Sequence, residues 1–380
     1  MSVEVKPFRC EVSDAVIADL KTRLARTRFP DQLDGAGWDY GAELSYVEAL
    51  CAYWRDTFDW RAAEARFNRF PQFTTELEGE TVAFYHIRSP EPAATPLIIT
   101  HGWPGSVAEF LDILGPLSDP ARHGGDPRDA FNVVAPSIPG YGFSGPTRHK
   151  GFNAQKAAAV NHGIMERLGY GRFIAQGGDW GSTISSWMAL QKPERLIGLH
   201  INLIMGRPAD PADPLAGLNE EERATIARAK ARGNKEAGYQ AIQGTKPQSL
   251  AYGLTDSPAG LAGWIVEKFR SWSDCHGDIE NSFTKDQLLE NIMLYWVTGT
   301  INSANRMYYE GIGPSPRPRI TVPTGHARFP GEGSQTPRLW AEQAYNIVRW
   351  EQMPKGGHFA AMEQPAIFVD EVRAFARQLR

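Results

Sequence analysis

The segment Gly177-Gly178-Asp179-Trp180-Gly181 sets a carboxylate in a G-x-nucleophile-x-G pattern, after the short run Phe173–Gln176 and before a helix-compatible stretch opening at Ser182. On such a turn the backbone is strained, and the flanking glycines remove Cβ atoms that would clash. The middle side chain then projects above the carboxyl ends of the strands. By itself the pattern is weak, with about 0.2 chance matches in a chain this long, and the strand-turn-helix context carries the assignment. The competing assignment for Asp179 is a structural cap on the following helix. Aspartate in place of serine has a chemical meaning. Serine attacking a saturated carbon would end as a dead-end ether, whereas a carboxylate gives an ester that water hydrolyses at its carbonyl. Substitution at sp³ carbon is therefore expected, as in epoxide opening or dehalogenation, rather than simple esterase or peptidase action.

Three more segments bear on that chemistry. His101-Gly102-Trp103-Pro104-Gly105-Ser106 follows an apolar run, and a turn there can aim the Trp103 backbone N–H inward, opposite the N–H of Trp180. Two such donors would hold the oxyanion formed during ester hydrolysis. His101 itself reads as a structural turn residue. Late in the chain, Lys355-Gly356-Gly357-His358-Phe359 puts a histidine where a base reaching back over the elbow belongs, in the order nucleophile, acid, histidine. Glu332 could orient it, after the stretch Thr324–Gly331 that follows a strand, but spacing alone does not separate Glu332 from Glu342 or Glu351.

The elements that must position these groups follow from periodicity. Residues 1–70 read as helices and ordered loop wrapping the next unit. Ser13 is placed to cap a helix bearing Val16, Ile17, Leu20 and Leu24, and Tyr46, Val47, Leu50, Tyr53 and Trp54 share one face of another. Residues 71–205 open with a hairpin of Phe73–Leu77 and Thr81–Ile87. Leu97–Thr100, Phe131–Ala135, Phe173–Gln176 and Leu196–Ile201 then alternate with helical stretches, which argues for a parallel sheet covered on both faces. Residues 206–315 open with the linker RPADPADP. Asn219 and Glu222 form a capping box for a charged helix, and Leu261–Trp272 and Leu288–Trp296 continue the helical block. GIGPSPRPR closes it. Residues 316–380 resume strands at Ile320–Val322 and Ile347-Val348 and end in a helix with Phe368, Val372, Phe375 and Leu379 on one face.

Composition excludes much else. With 40 basic and 44 acidic residues in 380, the net charge of −4 offers nucleic acid or an anionic membrane no attraction. Cys10, Cys51 and Cys275 lie far apart without CxxC spacing, which disfavours a disulfide framework or a zinc site and fits a reducing compartment. Neither a signal peptide nor an apolar stretch of spanning length is evident. No P-loop appears and the histidines lack metal-ligand spacing, so neither a cofactor nor a metal is expected.

HGWPGS, GGDWGS and GGHFAA, with the helical insertion and the early meander, resemble the microsomal-type epoxide hydrolases of the α/β-hydrolase superfamily, a branch that includes the juvenile-hormone-type enzymes. The resemblance covers nearly the whole chain. It implies the α/β-hydrolase fold, with a mostly parallel sheet, an inserted helical cap and an N-terminal meander. It also implies Asp179 as nucleophile, His358 as base, and Glu332 as acid through the segment Phe329-Pro330-Gly331-Glu332. Two cap tyrosines that hold the epoxide oxygen match Tyr239 and Tyr308 locally, with Tyr309 as the neighbour that would replace Tyr308 if the helix were rotated. Members with an N-terminal membrane anchor exist in mammals. The start of this chain near the meander implies a soluble, bacterial-type form, placed in the cytoplasm.

A cofactor-independent epoxide hydrolase, serving detoxification or biosynthesis, is the function this implies. Its partner would be a small apolar or aromatic epoxide, and a homodimer is left open. Trp264, Phe269 and Trp272 are the pocket aromatics, although core packing accounts for the same pattern. A haloalkane dehalogenase would use the same Asp elbow but needs indole or amide donors for a halide, which Trp103 and Trp180 could supply. A non-catalytic hydrolase-fold binding protein would show a damaged nucleophile, base or acid.

Overall fold

A computed structural model describes residues 4–311 and 318–380. Its centre is a nine-stranded sheet of β1 (Lys6–Phe8), β2 (Gln72–Leu77), β3 (Glu80–Ile87), β4 (Thr95–Thr100), β5 (Phe131–Pro136), β6 (Phe173–Gly177), β7 (Leu196–Ile201), β8 (Pro323–Arg328) and β9 (Asn346–Gln352). The strands run in the order β1-β2-β3-β5-β4-β6-β7-β8-β9. The first three and β5 pair antiparallel, and the rest are parallel. Leu97, Ile98, Ile99, Phe173, Ile174 and Ala175 are all buried, as expected of strands covered on both faces. The hairpin closes on a two-residue turn in which Glu78 and Gly79 both have positive φ, the geometry whose twist matches the flanking strands.

Register makes the site. Thr100 pairs with Gly177, Gly177 with Ile201, and Ile201 with His326, so β4, β6 and β7 end level and β8 runs two residues further. HGWPGS, the Asp179 turn and the segment reaching Glu332 all leave from that one edge, where open parallel sheets bind ligands.

The N-terminal segment adds the edge strand β1, which helical periodicity did not anticipate. Ser13 stands at the N-cap of the helix Asp14–Ala25, but its side chain makes no capping hydrogen bond. The helix Leu44–Asp56 buries Leu50, Cys51 and Trp54, and Trp54 Nε1 donates to Met293 Sδ of the helix Lys285–Thr298 at 3.2 Å. Arg66 bridges Glu290 of that same helix at 2.8 Å. The meander therefore wraps the helical block as well as the sheet.

Between β7 and β8 the chain forms the helices Glu220–Glu236, Gly238–Thr245, Pro247–Asp256, Pro258–Trp272, Lys285–Thr298 and Ile301–Glu310. The capping box of Asn219 and Glu222 is present. Of the closing run GIGPSPRPR, residues 312–317 lie outside the described residues.

One strand expectation is corrected. Ile320 and Val322 are buried alternately with an exposed Thr321, which mimics a strand, but the ladder to β9 begins only at Pro323↔Asn346. Thr324–Arg328, expected after a strand, are the strand itself.

Candidate active site

Asp179 opens the helix Asp179–Gln191 directly after β6, with φ at 47°. That left-handed conformation costs a non-glycine residue about 1–3 kcal/mol and persists only where surrounding structure enforces it. The enforcement is contact. A Cβ on Gly177 would lie 2.1 Å from the Gly181 carbonyl oxygen, and one on Gly181 would lie 1.9 Å from that of Thr100. Only glycines allow helix, β6 and β4 to meet so closely. The cap expected as the competing role is not made, because Gly178 holds the N-cap position.

The Trp103 backbone N–H donates to Asp179 Oδ1 at 2.8 Å. Trp180 follows Asp179 in the first helical turn, and its ring packs edge-on to Tyr308 at 5.0 Å. His101 is buried and structural. Its Nδ1 faces the Gly102 carbonyl at 3.0 Å and its Nε2 accepts the Ile138 N–H at 3.2 Å, which joins two loops at the sheet edge.

On the other side of Asp179 stands His358. Its Nε2 is 3.4 Å from Asp179 Oδ2, without alignment for a hydrogen bond, and its Nδ1 is 2.8 Å from Glu332 Oε2. Glu332 is 7% exposed, and its other oxygen accepts the Ser334 N–H at 3.0 Å, so the carboxylate is fixed. Glu342 instead pairs with Arg338, and Glu351 with Arg349. Burial by itself would lower the imidazole pKa. The Glu332 charge and hydrogen bond, together with Asp179, overcome it and hold the pKa well above the ordinary histidine value.

Tyr239 and Tyr308 meet above the carboxylate. The Tyr239 ring stacks on Trp103, with centroids 5.1 Å apart and planes 4° from parallel, and Tyr308 stands edge-on to it at 5.6 Å. Gln240 Nε2 donates to the Tyr239 hydroxyl at 2.9 Å. Burial first, and the Asp179 charge second, push both phenols well above their ordinary pKa, so both remain O–H donors. Tyr309 is 58% exposed and turns away.

Asp179, His358, Tyr239, Glu332 and Trp272 line one cavity of about 350 Å³, with Leu203, Met205, Ala229 and Ala237 as its apolar wall. Trp272 therefore belongs to the site. Phe269 does not, and that expectation is corrected. It is fully buried in the core, stacked on Phe359 at 3.9 Å, because its side of the helix Pro258–Trp272 faces the sheet domain. Trp264 lines a separate cavity of about 870 Å³ between the meander and the helices, and its indole N–H donates to Gln243.

Two polar residues beside Asp179 escaped the sequence reading. Gln176, the penultimate residue of β6, is 1% exposed, and Glu109 follows Ser106 by three residues. The available signals were an amide closing an apolar strand, and Ser-x-x-Glu spacing. Among the described residues, no group of three or more His, Cys, Asp or Glu side chains is arranged to hold a metal ion.

Known proteins are similar to this chain along nearly its whole length. The family model described as the epoxide hydrolase N terminus matches residues 5–110, and that of the alpha/beta hydrolase fold matches 95–251. A Stigmatella aurantiaca protein with a provisional epoxide hydrolase name is 43% identical over 99% of this chain and 86% of its own length. Epoxide hydrolase 1 of Sus scrofa is 38% identical over 98% of this chain and 88% of its own. The chain belongs to the epoxide hydrolase family. The crystal structure of the family's juvenile hormone epoxide hydrolase from Bombyx mori superposes with a TM-score of 0.90 at 31% identity, covering 100% of this chain and 95% of that one. The Aspergillus niger epoxide hydrolase superposes with 0.88 at 32% identity, covering 100% and 97%. Among the described residues of this family member, no helix is long and apolar enough to cross a membrane.

Proposed function

We propose that this chain hydrolyses an apolar or arene-bearing epoxide to a vicinal diol, through an ester on Asp179. The observation that carries the reading is the line of Glu332, His358 and Asp179 sharing one cavity with the protonated phenol of Tyr239, with that of Tyr308 edge-on beside it. Asp179 Oδ1 is held by the Trp103 N–H, which leaves Oδ2 as the attacking atom. Oδ2 bonds to an epoxide carbon, the C–O bond breaks, and the alkoxide takes a proton from Tyr239 or Tyr308. The ester carbonyl oxygen is then Oδ1, already on a donor. With Asp179 neutralised, His358 loses one of the two charges that raise its pKa, so its proton can pass to the phenolate and the neutral imidazole is left as the base. It takes a proton from water, whose oxygen attacks Cγ. Glu332 stabilises the imidazolium and the Trp103 and Trp180 N–H groups hold the oxyanion; as the ester C–O bond breaks the imidazolium protonates the departing alkoxide, and the proton left on the Asp179 carboxyl returns to His358.

Halide release is the weaker reading. Trp180's ring is packed edge-on against Tyr308, and neither Trp103 nor Trp180 lines the 350 Å³ cavity. An intact nucleophile, base and acid also speak against a binding-only role. Three buried free thiols suit a reducing compartment, and we place the protein in the cytoplasm.

The test is diol formation from styrene oxide by the wild type and by Asp179→Ala, with His358→Gln examined by intact mass spectrometry. The expected results are diol from the wild type only, and protein plus substrate in the His358 variant. Diol from Asp179→Ala would overturn the reading, and so would an unmodified His358→Gln variant.

A further inference from the structure

Asp179 and His358 stand in the walls of two cavities at once. One is the 350 Å³ cavity beneath Tyr239. The other is a small cavity of about 20 Å³ on the opposite side, bounded also by Glu109, Gln176 and Asn202, and sharing no other residue with the first. A polar cavity needs about 10–15 Å³ and two to four polar partners to hold one water molecule. The small cavity meets both conditions and is too small for an organic substrate.

Its polar groups are oriented. Gln176 is 1% exposed, and its Nε2 donates to Asn202 Oδ1 at 3.0 Å, which directs Oε1 the other way. Neither Gln176 Oε1 nor His358 Nε2 makes a hydrogen bond within the protein, although both atoms are buried and Asp179 Oδ2 lies 3.4 Å from Nε2. An unpartnered buried carbonyl oxygen is costly, and a bridging water removes the cost. Glu109 is wedged opposite, where a Cβ on Gly105 would fall 1.7 Å from its Oε1. Burial raises its carboxyl pKa to about 8, so it is a neutral acid able to donate.

We infer that the small cavity is the chamber of the hydrolytic water, and that Gln176 is a positioning residue for the second half-reaction, with Glu109 as the chamber's far wall. The inference rests on the ester reading above. Water in the chamber gives one hydrogen to Gln176 Oε1 and the other to neutral His358 Nε2. Its free lone pair then faces Cγ of the Asp179 ester from the side away from the substrate. His358 takes the second proton, the O–Cγ bond forms, and collapse of the oxyanion expels the diol alkoxide, which the imidazolium protonates. Substrate and water thus approach from separate compartments, and neither need displace the other.

The experiment separates the two half-reactions. Single-turnover mixing with styrene oxide, quenched and read by intact mass, gives the rate at which ester forms and the rate at which it disappears. Gln176→Met keeps the length of the side chain and removes the acceptor. Ester formation is expected within twofold of wild type, which also shows that the variant is folded. Ester breakdown should be at least tenfold slower, with the ester dominating at steady state. If Gln176→Met fails to alkylate, Glu109→Leu carries the same test from the opposite wall, with breakdown at least fivefold slower. Breakdown within twofold of wild type in an alkylating variant would make the cavity a packing void only and overturn the proposal. Absence of ester in every variant, His358→Gln included, would overturn the ester reading instead.

Discussion

The backbone N–H of His358 donates to the carbonyl of Trp272 at 3.0 Å, so the last residue of a helix inserted between β7 and β8 holds the loop that carries the imidazole. The attachment is reinforced next door. Asp274 Oδ2 accepts the Gly356 N–H at 2.9 Å, and Glu363 Oε2 accepts the Asp274 N–H at 2.8 Å. Glycine at 331 and 357 permits it, since a Cβ there would fall 3.0 Å from Asp274 Cβ and 2.8 Å from its nitrogen. The helical block is clamped to the base, and its end cannot lift without moving His358.

Asp274→Ala should therefore act on catalysis more than on stability. One partly buried hydrogen bond is worth about 1–2 kcal/mol, which moves the melting temperature of a chain this size by only about 1–3 °C. The His358 loop, however, loses a fixed point 2.9 Å from Gly356. A fall in kcat of about tenfold is expected, of the kind that small misplacement of a reacting group produces. Steady-state diol formation beside calorimetry checks it, and an unchanged kcat with a large loss of melting temperature would reverse the argument.

The tyrosines give a sharper result. Removing one donor from a developing oxyanion costs about 10²–10³ in rate. Tyr239→Phe and Tyr308→Phe should each slow ester formation by about that range while leaving ester breakdown largely intact. Their rings are in edge-on contact at 5.6 Å, so the double variant should fall short of the product of the single effects. Tyr309→Phe, with its ring 58% exposed, should match the wild type. Rapid-quench measurement of adduct formation decides which tyrosine faces the site.

What could be read without coordinates, and what could not, divides along physical lines. Asp179, His358 and Glu332 lie in turns whose glycines and prolines are imposed by backbone geometry, and those residue types are visible in the letters. Asn219 and Glu222 are three residues apart, and so is their interaction. Gln176 and Glu109 were invisible because their meaning depends on a cavity shared with Asp179 and His358, assembled from segments up to 268 residues apart in sequence. Ile320–Val322 misled for a different reason. Alternating burial needs only a nearby core, whereas a strand needs a partner's ladder, which starts at Pro323.

Phe269 and Trp272 share a helix, yet one serves packing and the other the site. Phe269→Ala removes a fully buried ring stacked on Phe359 and should cost about 3–5 kcal/mol of stability, leaving KM for a small epoxide near its wild-type value. Trp272 lies against Tyr239 at 5.1 Å and His358 at 5.0 Å, so Trp272→Phe should raise KM or change regiochemistry at little cost in stability. Chemical denaturation and diol analysis on both variants separate the roles, and a KM change confined to the Phe269 variant would contradict them.

Stability should peak in mildly acidic to neutral solution, because two sets of buried groups pull in opposite directions. His86, His101, His162 and His326 are lowered to about 4 by burial. Unfolded histidines titrate near about 6.5, so the unfolded state binds the extra protons as pH falls from there towards 4, and stability is lost. Glu109 and Glu363 are raised by burial to about 8 and about 7. Their contribution is complete below the unfolded value of about 4.5 and is lost as pH rises through their folded values. His358, held well above its ordinary value, adds to that second loss. A calorimetric series from pH 4 to 9 should give a maximum melting temperature at about pH 6. In Glu109→Gln, which stays neutral throughout, the decline above about pH 7 should be shallower, and an unaltered alkaline limb would show that this carboxyl is ionised in the folded protein.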